Sequence, residues 1–123
     1  MPIAAYLREA RANLERAAVE LKTDANSLRQ QADQQERDAK RRIDELRTEM
    51  RNLQNSVTDP NTDAATKAAA GSSIQAITRE ISEIEHNMAA DKQQMLQTAQ
   101  NMENESNNLS QLAADMERRA AAS

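Results

Sequence analysis

From Ile74 to Met116 every seventh residue is apolar: Ile74, Ile81, Met88, Met95, Met102, Leu109 and Met116. A seven-residue repeat held this long marks a helix that buries one narrow stripe against another helix. Ile77, Ile84 and Leu112 fill the alternate stripe position, but Asp91, Thr98 and Glu105 occupy it in between. Near the other end of the chain Leu7, Leu14, Leu21 and Leu28 repeat at the same spacing. Ala18, Ala25, Ala32, Ala39, Leu46 and Leu53 hold the alternate position there. The leucine series lapses at Gln35 and resumes one residue late as Ile43, Met50 and Val57. An extra residue in a heptad pattern relaxes the left-handed supercoil at that point.

These patterns predict two long helices, one over residues 3–57 and one over 60–121, joined by a turn at 58–59. Pro2 suits a first helix turn, where a missing N–H removes no intrahelical bond. Val57-Thr58-Asp59-Pro60 predicts the stop, because a residue preceding proline is pushed out of the α region. Asp59 is then expected to cap the second helix with Pro60 at its first position, and Asp63 adds favourable negative charge to the first turn. Gly71-Ser72-Ser73 is a second place where the helix can break, and Ser72 and Gln75 have capping-box spacing.

Two registers satisfy the repeat. A tight turn at Asp59-Pro60 sets Leu28 against Met88, Leu21 against Met95 or Leu96, Leu14 against Met102 and Leu7 against Leu109. It also sets Arg37 across from Glu80 and Asp38 across from Arg79. A long tip over residues 58–73 sets Met50 against Ile81 and Ile43 against Met88, two heptads away. Short connections are commoner between packed helices, which favours the tight turn.

Composition narrows the fold class to all-α. There is one Tyr and no Phe or Trp, and Gly and Pro total three residues. A sheet would require turn residues and β-branched or aromatic runs that are missing here. Ala alone contributes 23 residues, so the stripe is thin. Burying a Leu or Ile is worth ~1.5–3 kcal/mol and an Ala much less. With Asp91, Thr98 and Glu105 on the stripe, an isolated hairpin is expected to be loose in its middle. The expectation is a long antiparallel two-helix coiled-coil hairpin that dimerises into a four-helix bundle over part of its length.

The net charge of −4 is unevenly spread. Residues 1–57 carry 11 basic and 10 acidic side chains, and residues 58–123 carry 5 basic and 10 acidic. Opposite balances in the two halves favour pairing between the arms over binding to a polyanion. The absence of cysteine excludes disulfides. Arg8, Glu9 and Arg11 interrupt any secretory h-region, and no apolar run approaches the ~18 residues of a membrane span. A cytoplasmic protein is expected, with signal-independent secretion open.

The candidate chemistry is sparse. Glu83 and His86 have the Glu-x-x-His spacing of di-iron bundles, but such sites need two copies and His86 is the single histidine. A solvated helix face explains the pair better, and no metal or other cofactor is expected. The methionine series could form an adaptable groove, although at heptad spacing it reads more simply as core. Arg37, Lys40, Arg41 and Arg42 follow the leucines instead of preceding them, the reverse of a DNA-binding zipper, so no nucleic-acid partner is expected. The amphipathic segment from Ile3 to Leu21 lacks the Trp or Phe anchors of a membrane-surface helix. No phosphate loop, catalytic triad or cofactor fingerprint is present, and the chain is read as a non-enzyme.

The expected function is that of a structural or interaction protein: a spacer, an adaptor or a self-assembling subunit. Its partner would be a second copy of itself or another helical protein. A lipid-surface protein and a helical secretion substrate or chaperone are the alternatives.

Overall fold

The computed structural model describes residues 2–123 and consists of two helices packed against each other as a hairpin. Helix α1 spans Ile3–Thr58 and helix α2 spans Ala64–Ala122. Helix α2 starts at Ala64, not at Pro60 as the sequence suggested. Asp59 and Pro60 instead open a turn in which the Thr62 amide donates to the Asp59 carbonyl at 3.2 Å. The Asn61 amide donates to Asp59 Oδ1 at 2.9 Å. Asp followed by Pro is the pattern of the first two positions of a type I turn, with the carboxylate closing an Asx-turn. The cap of α2 is Asp63, whose Oδ1 accepts the Thr66 amide at 2.7 Å.

No break occurs at Gly71-Ser72-Ser73, where α2 is continuous. Gly71 has no positive φ, and a Cβ added there would meet nothing within 4 Å. Glycine in a helix interior is less favourable than alanine by ~1 kcal/mol, a loss that a helix of this length absorbs.

The chain divides into two units. Unit 1 comprises Met1–Ala32 with Gln94–Ser123, and unit 2 comprises Asp33–Gln93. Unit 2 buries Ile43, Leu46, Ala70 and Ile77, with Leu46 almost fully enclosed. In unit 1 the buried apolar residues are Ala18, Ala25, Ala32, Ala99, Ala113 and Ala120. All of them are alanine, and Ala25 and Ala99 are 0 % exposed.

On α1 the buried series of Ala18, Ala25, Ala32 and Leu46 runs through the division unchanged, and only the companion leucine row lapses, at Gln35. On α2 the stripe leaves the Ile77 and Ile84 series and passes to the next residue, running through Lys92, Ala99, Ser106, Ala113 and Ala120. Asp91, Thr98, Glu105 and Leu112 are consequently exposed. The expectation of a loose middle rested on these polar residues sitting in the seam, and they lie off it. An unsupercoiled α-helix drifts ~20° per heptad, and α2 meets that drift by handing the contact to a neighbouring series.

The register agrees with neither sequence alternative. Ala18 would face Ala99 in the tight-turn register and Ala113 in the long-tip register. In the structure its carbonyl accepts a 2.7 Å hydrogen bond from Ser106 Oγ, one heptad from each. In unit 2 Glu80 pairs with Arg42 at 3.3 Å, not with Arg37, and Asp38 pairs with Arg41 on its own helix at 3.6 Å. The connection between Thr58 and Ala64 is longer than the tight turn, which is the direction in which the pairing differs from it.

Two substitutions test this packing. Gly71→Ala should raise stability by ~1 kcal/mol, read as a higher melting temperature by circular dichroism. Ala99→Leu should destabilise by ~1–3 kcal/mol through overpacking, although it makes the chain more hydrophobic. An unchanged melting point for Ala99→Leu would contradict a closely packed alanine seam.

Candidate interaction surface

The alanine seam of unit 1 decides where its larger side chains go. A serine hydroxyl lies one bond beyond Cβ, so Ser106 reaches the Ala18 carbonyl only if the helix backbones approach closely. Interaxial distance is set by the side chains at the contact. Once alanines bring the helices together, longer residues on the neighbouring rows cannot insert between them. Leu7, Leu14, Leu21 and Leu28 on α1, and Met95, Met102, Leu109 and Met116 on α2, are only half-buried.

Ion pairs reveal which flank each row occupies. Arg29, four residues after Ala25, pairs with Glu103, four residues after Ala99. Arg11 Nη1 reaches Glu117 Oε2 at 2.8 Å, and Arg8 approaches the same oxygen at 3.5 Å. Glu117 likewise follows Ala113 by four. In an antiparallel pair, rows offset in the same sense from the seam lie on the same flank. One flank of unit 1 is thus bridged by arginine and glutamate. Leu21 and Met95 precede Ala25 and Ala99 by four, so the leucine and methionine rows share the opposite flank. It carries no comparable bridge among the described residues.

The apolar flank widens beyond these rows. Ile3, four residues before Leu7, is 68 % exposed. Leu112, four before Met116, is 46 % exposed, so it lies outside the seam to which its spacing assigned it. Among the described residues, the exposed large apolar side chains are Ile3, Tyr6, Val19, Leu96 and Leu112, all in unit 1; Ile3 and Leu112 lie on this flank, whereas Val19 and Leu96 lie on the bridged one. Asp24, Asp91 and Glu105 occupy the corresponding outer rows farther from the termini and are exposed.

The other residues singled out by spacing are distributed as follows. In unit 2, Ile43, Leu46 and Ile77 are buried, whereas Met50, Leu53, Ile74, Ile81, Ile84 and Met88 are half-buried. Asp59 and Pro60 are exposed in the connection, and Glu83 and His86 are exposed on α2. Sequence reasoning missed the weight of the alanine series, and Ser106 with it. Their signal was present, since Ala99, Ser106, Ala113 and Ala120 also recur every seven residues, but small residues score low in any search for apolar stripes.

The bridging carboxylates are perturbed in the sense their partners require. Hydrogen bonding from Arg29 holds Glu103 below the usual carboxylate value, with partial burial opposing it. Hydrogen bonds from Lys92, and secondarily Lys40, do the same for Glu36 in unit 2. The Thr66 amide lowers Asp63. A depressed folded-state value contributes stability above the unfolded value, and that contribution is lost as pH falls through the folded one. All three groups are solvent-accessible, which keeps each contribution small. Melting temperature should therefore decline below about pH 4.5. The combined Glu36→Gln and Glu103→Gln variant should show a shallower decline; an identical acid limb would mean the bridges contribute nothing.

Among the described residues no helix is long and apolar enough to cross a membrane, and no group of three His, Asp or Glu side chains is placed to hold a metal ion. Comparison of the chain with protein-family models, with curated proteins and with solved structures finds no match.

Proposed function

We propose that this chain is a non-catalytic interaction protein, a helical hairpin that self-associates and serves as a spacer, adaptor or assembly subunit. The observation that carries the reading is the mismatch within unit 1. Its enclosed apolar residues are all alanine, while its stripe leucines and methionines are incompletely buried and Ile3, Tyr6, Val19, Leu96 and Leu112 are exposed. Fully burying a Leu or Met side chain is worth ~1.5–3 kcal/mol, so a surface that leaves so many partly wet gains from being covered.

Area supports the same reading. The chain exposes 8607 Å². A compact monomer of 13.7 kDa would expose about 6,600 Å². The excess of about 2,000 Å² exceeds the ~1,600 Å² that a standard protein–protein interface buries in total. The shallow depressions of unit 1, such as the one lined by Glu15, Ala18, Lys22 and Ser106, lie over the seam and hold no constellation of catalytic groups. A second helical protein in place of a second copy is the heteromeric version of this function.

Multi-angle light scattering over a range of concentrations should give a mass of twice the chain or more. A monomer persisting at the highest concentration would remove the self-association reading.

A further inference from the structure

We propose that the single hairpin has a second register one heptad away. It is reached when α2 unwinds over residues 64–71, restarts at Ser72 and slides along α1 by about 10 Å. Ion pairs across the helices hold the observed register, so ionic strength gates the slide.

The seam of unit 1 does not tell the two registers apart. The Ser106–Ala18 hydrogen bond sets Ala99 level with Ala25. After the slide Ala113 stands level with Ala18, Ala99 stands level with Ala32, and Ser106 meets the carbonyl of Ala25 in place of that of Ala18. Small residues still face small ones. A slide in the opposite sense sets Lys92 against Ala25 and shortens the connection, so one direction alone is open.

In unit 2 the apolar match improves. Leu46 and Ile77 are both buried, and one heptad toward the connection Leu53 stands level with the small Ala70. One turn farther on, Val57 stands level with Lys67. The slide sets Leu53 against Ile77, Leu46 against Ile84, Val57 against Ile74 and Met50 against Ile81, so that large apolar residues face one another.

The sequence beyond the connection already holds the break and the new start. Gly71 lies inside α2 although it has no positive φ and a Cβ added there would meet nothing within 4 Å. Neither backbone nor packing calls for glycine here, and it weakens the helix where the slide requires it to end. Ser72 and Gln75 follow at capping-box spacing, which supplies a cap for the shortened helix.

Charge opposes the move. Arg29–Glu103 and Arg11–Glu117 bridge the helices of unit 1, and Arg42–Glu80, Arg47–Glu85 and Lys92–Glu36 bridge those of unit 2. A slide of one heptad separates each of these pairs and replaces Glu85 beside Arg47 with Lys92. It also leaves the first heptad of α1 uncovered, overhanging the end of α2 by about 10 Å. The bridges are partly exposed, so salt screens them while leaving the apolar contacts intact.

Disulfide trapping reads the register directly, because the bond forms only between Cβ atoms about 4 Å apart and the chain has no cysteine of its own. Ala25→Cys with Ala99→Cys reports the observed register, and Ala32→Cys with Ala99→Cys the second one; products with the mass of one chain are counted. The first pair should close in low salt. The second should close roughly tenfold faster in about 1 M salt, where the Debye length is ~3 Å. It should also close in low salt once Glu80→Gln, Glu103→Gln and Glu117→Gln are combined. Gly71→Ala should slow the second pair roughly fivefold and spare the first. If the second pair never closes while the first closes in every condition, the second register is overturned. If the second pair closes equally well at all salt concentrations, the gating by charge is overturned. Should neither pair close, amide hydrogen exchange decides. Residues 64–71 should then exchange roughly tenfold faster in high salt while residues 77–84 keep their protection, and equal protection of both segments overturns the slide.

Discussion

The close approach of two alanine-lined helix faces is the constraint from which most of unit 1 follows. Small side chains permit the short separation that the Ser106–Ala18 hydrogen bond reports. That separation excludes leucine and methionine from the space between the helices and leaves them along one edge. On the other edge it brings Arg29 within reach of Glu103, and Arg8 and Arg11 within reach of Glu117. A seam of leucines would have held the helices farther apart and enclosed its own apolar surface. Alanine does the reverse: it fastens the pair and turns the larger residues outward.

The two units therefore solve the burial problem differently. Unit 2 gathers Ile43, Leu46 and Ile77 into a small enclosed core and braces it with Arg42–Glu80, Arg47–Glu85 and Lys92–Glu36 pairs across the helices. Such exposed pairs contribute little individually, but they discriminate between registers because a shift by one heptad separates every one of them. Unit 1 keeps its seam to alanine and Ser106, and its exposed large apolar side chains are Ile3, Tyr6, Val19, Leu96 and Leu112. In the proposed reading, stability within one chain and association rest on different residues.

Charge serves the same division of labour. The arginines and lysine between Arg37 and Arg42 form the densest basic cluster in the sequence, yet Lys40 lies 3.0 Å from Glu36, Arg41 lies 3.6 Å from Asp38, and Arg42 approaches both Glu45 and Glu80. Lys40, Arg41 and Arg42 each meet a carboxylate on the same helix or across the hairpin, whereas Arg37 meets only Gln34.

The sequence by itself determined the two helices, their antiparallel pairing and the place of the connection, because the seven-residue repeat, the scarcity of glycine and proline, and Asp59-Pro60 are local signals that no tertiary contact has to supply. It also marked the lapse of the leucine row at Gln35. Only the tertiary structure decided the register, since a heptad repeat is unchanged by sliding one helix past the other by seven residues. The choice was made by where α2 starts, at the Asp63 cap, and by which small residues nest against each other. Only the structure showed that Asp91, Thr98, Glu105 and Leu112 lie off the seam, because drift between the helical and heptad periods accumulates over a length that a fixed spacing ignores. The weight of alanine was hidden for a related reason. A small residue adds little apolar area of its own, and its effect is to set how near two backbones can come, which is a property of the pair and not of either helix.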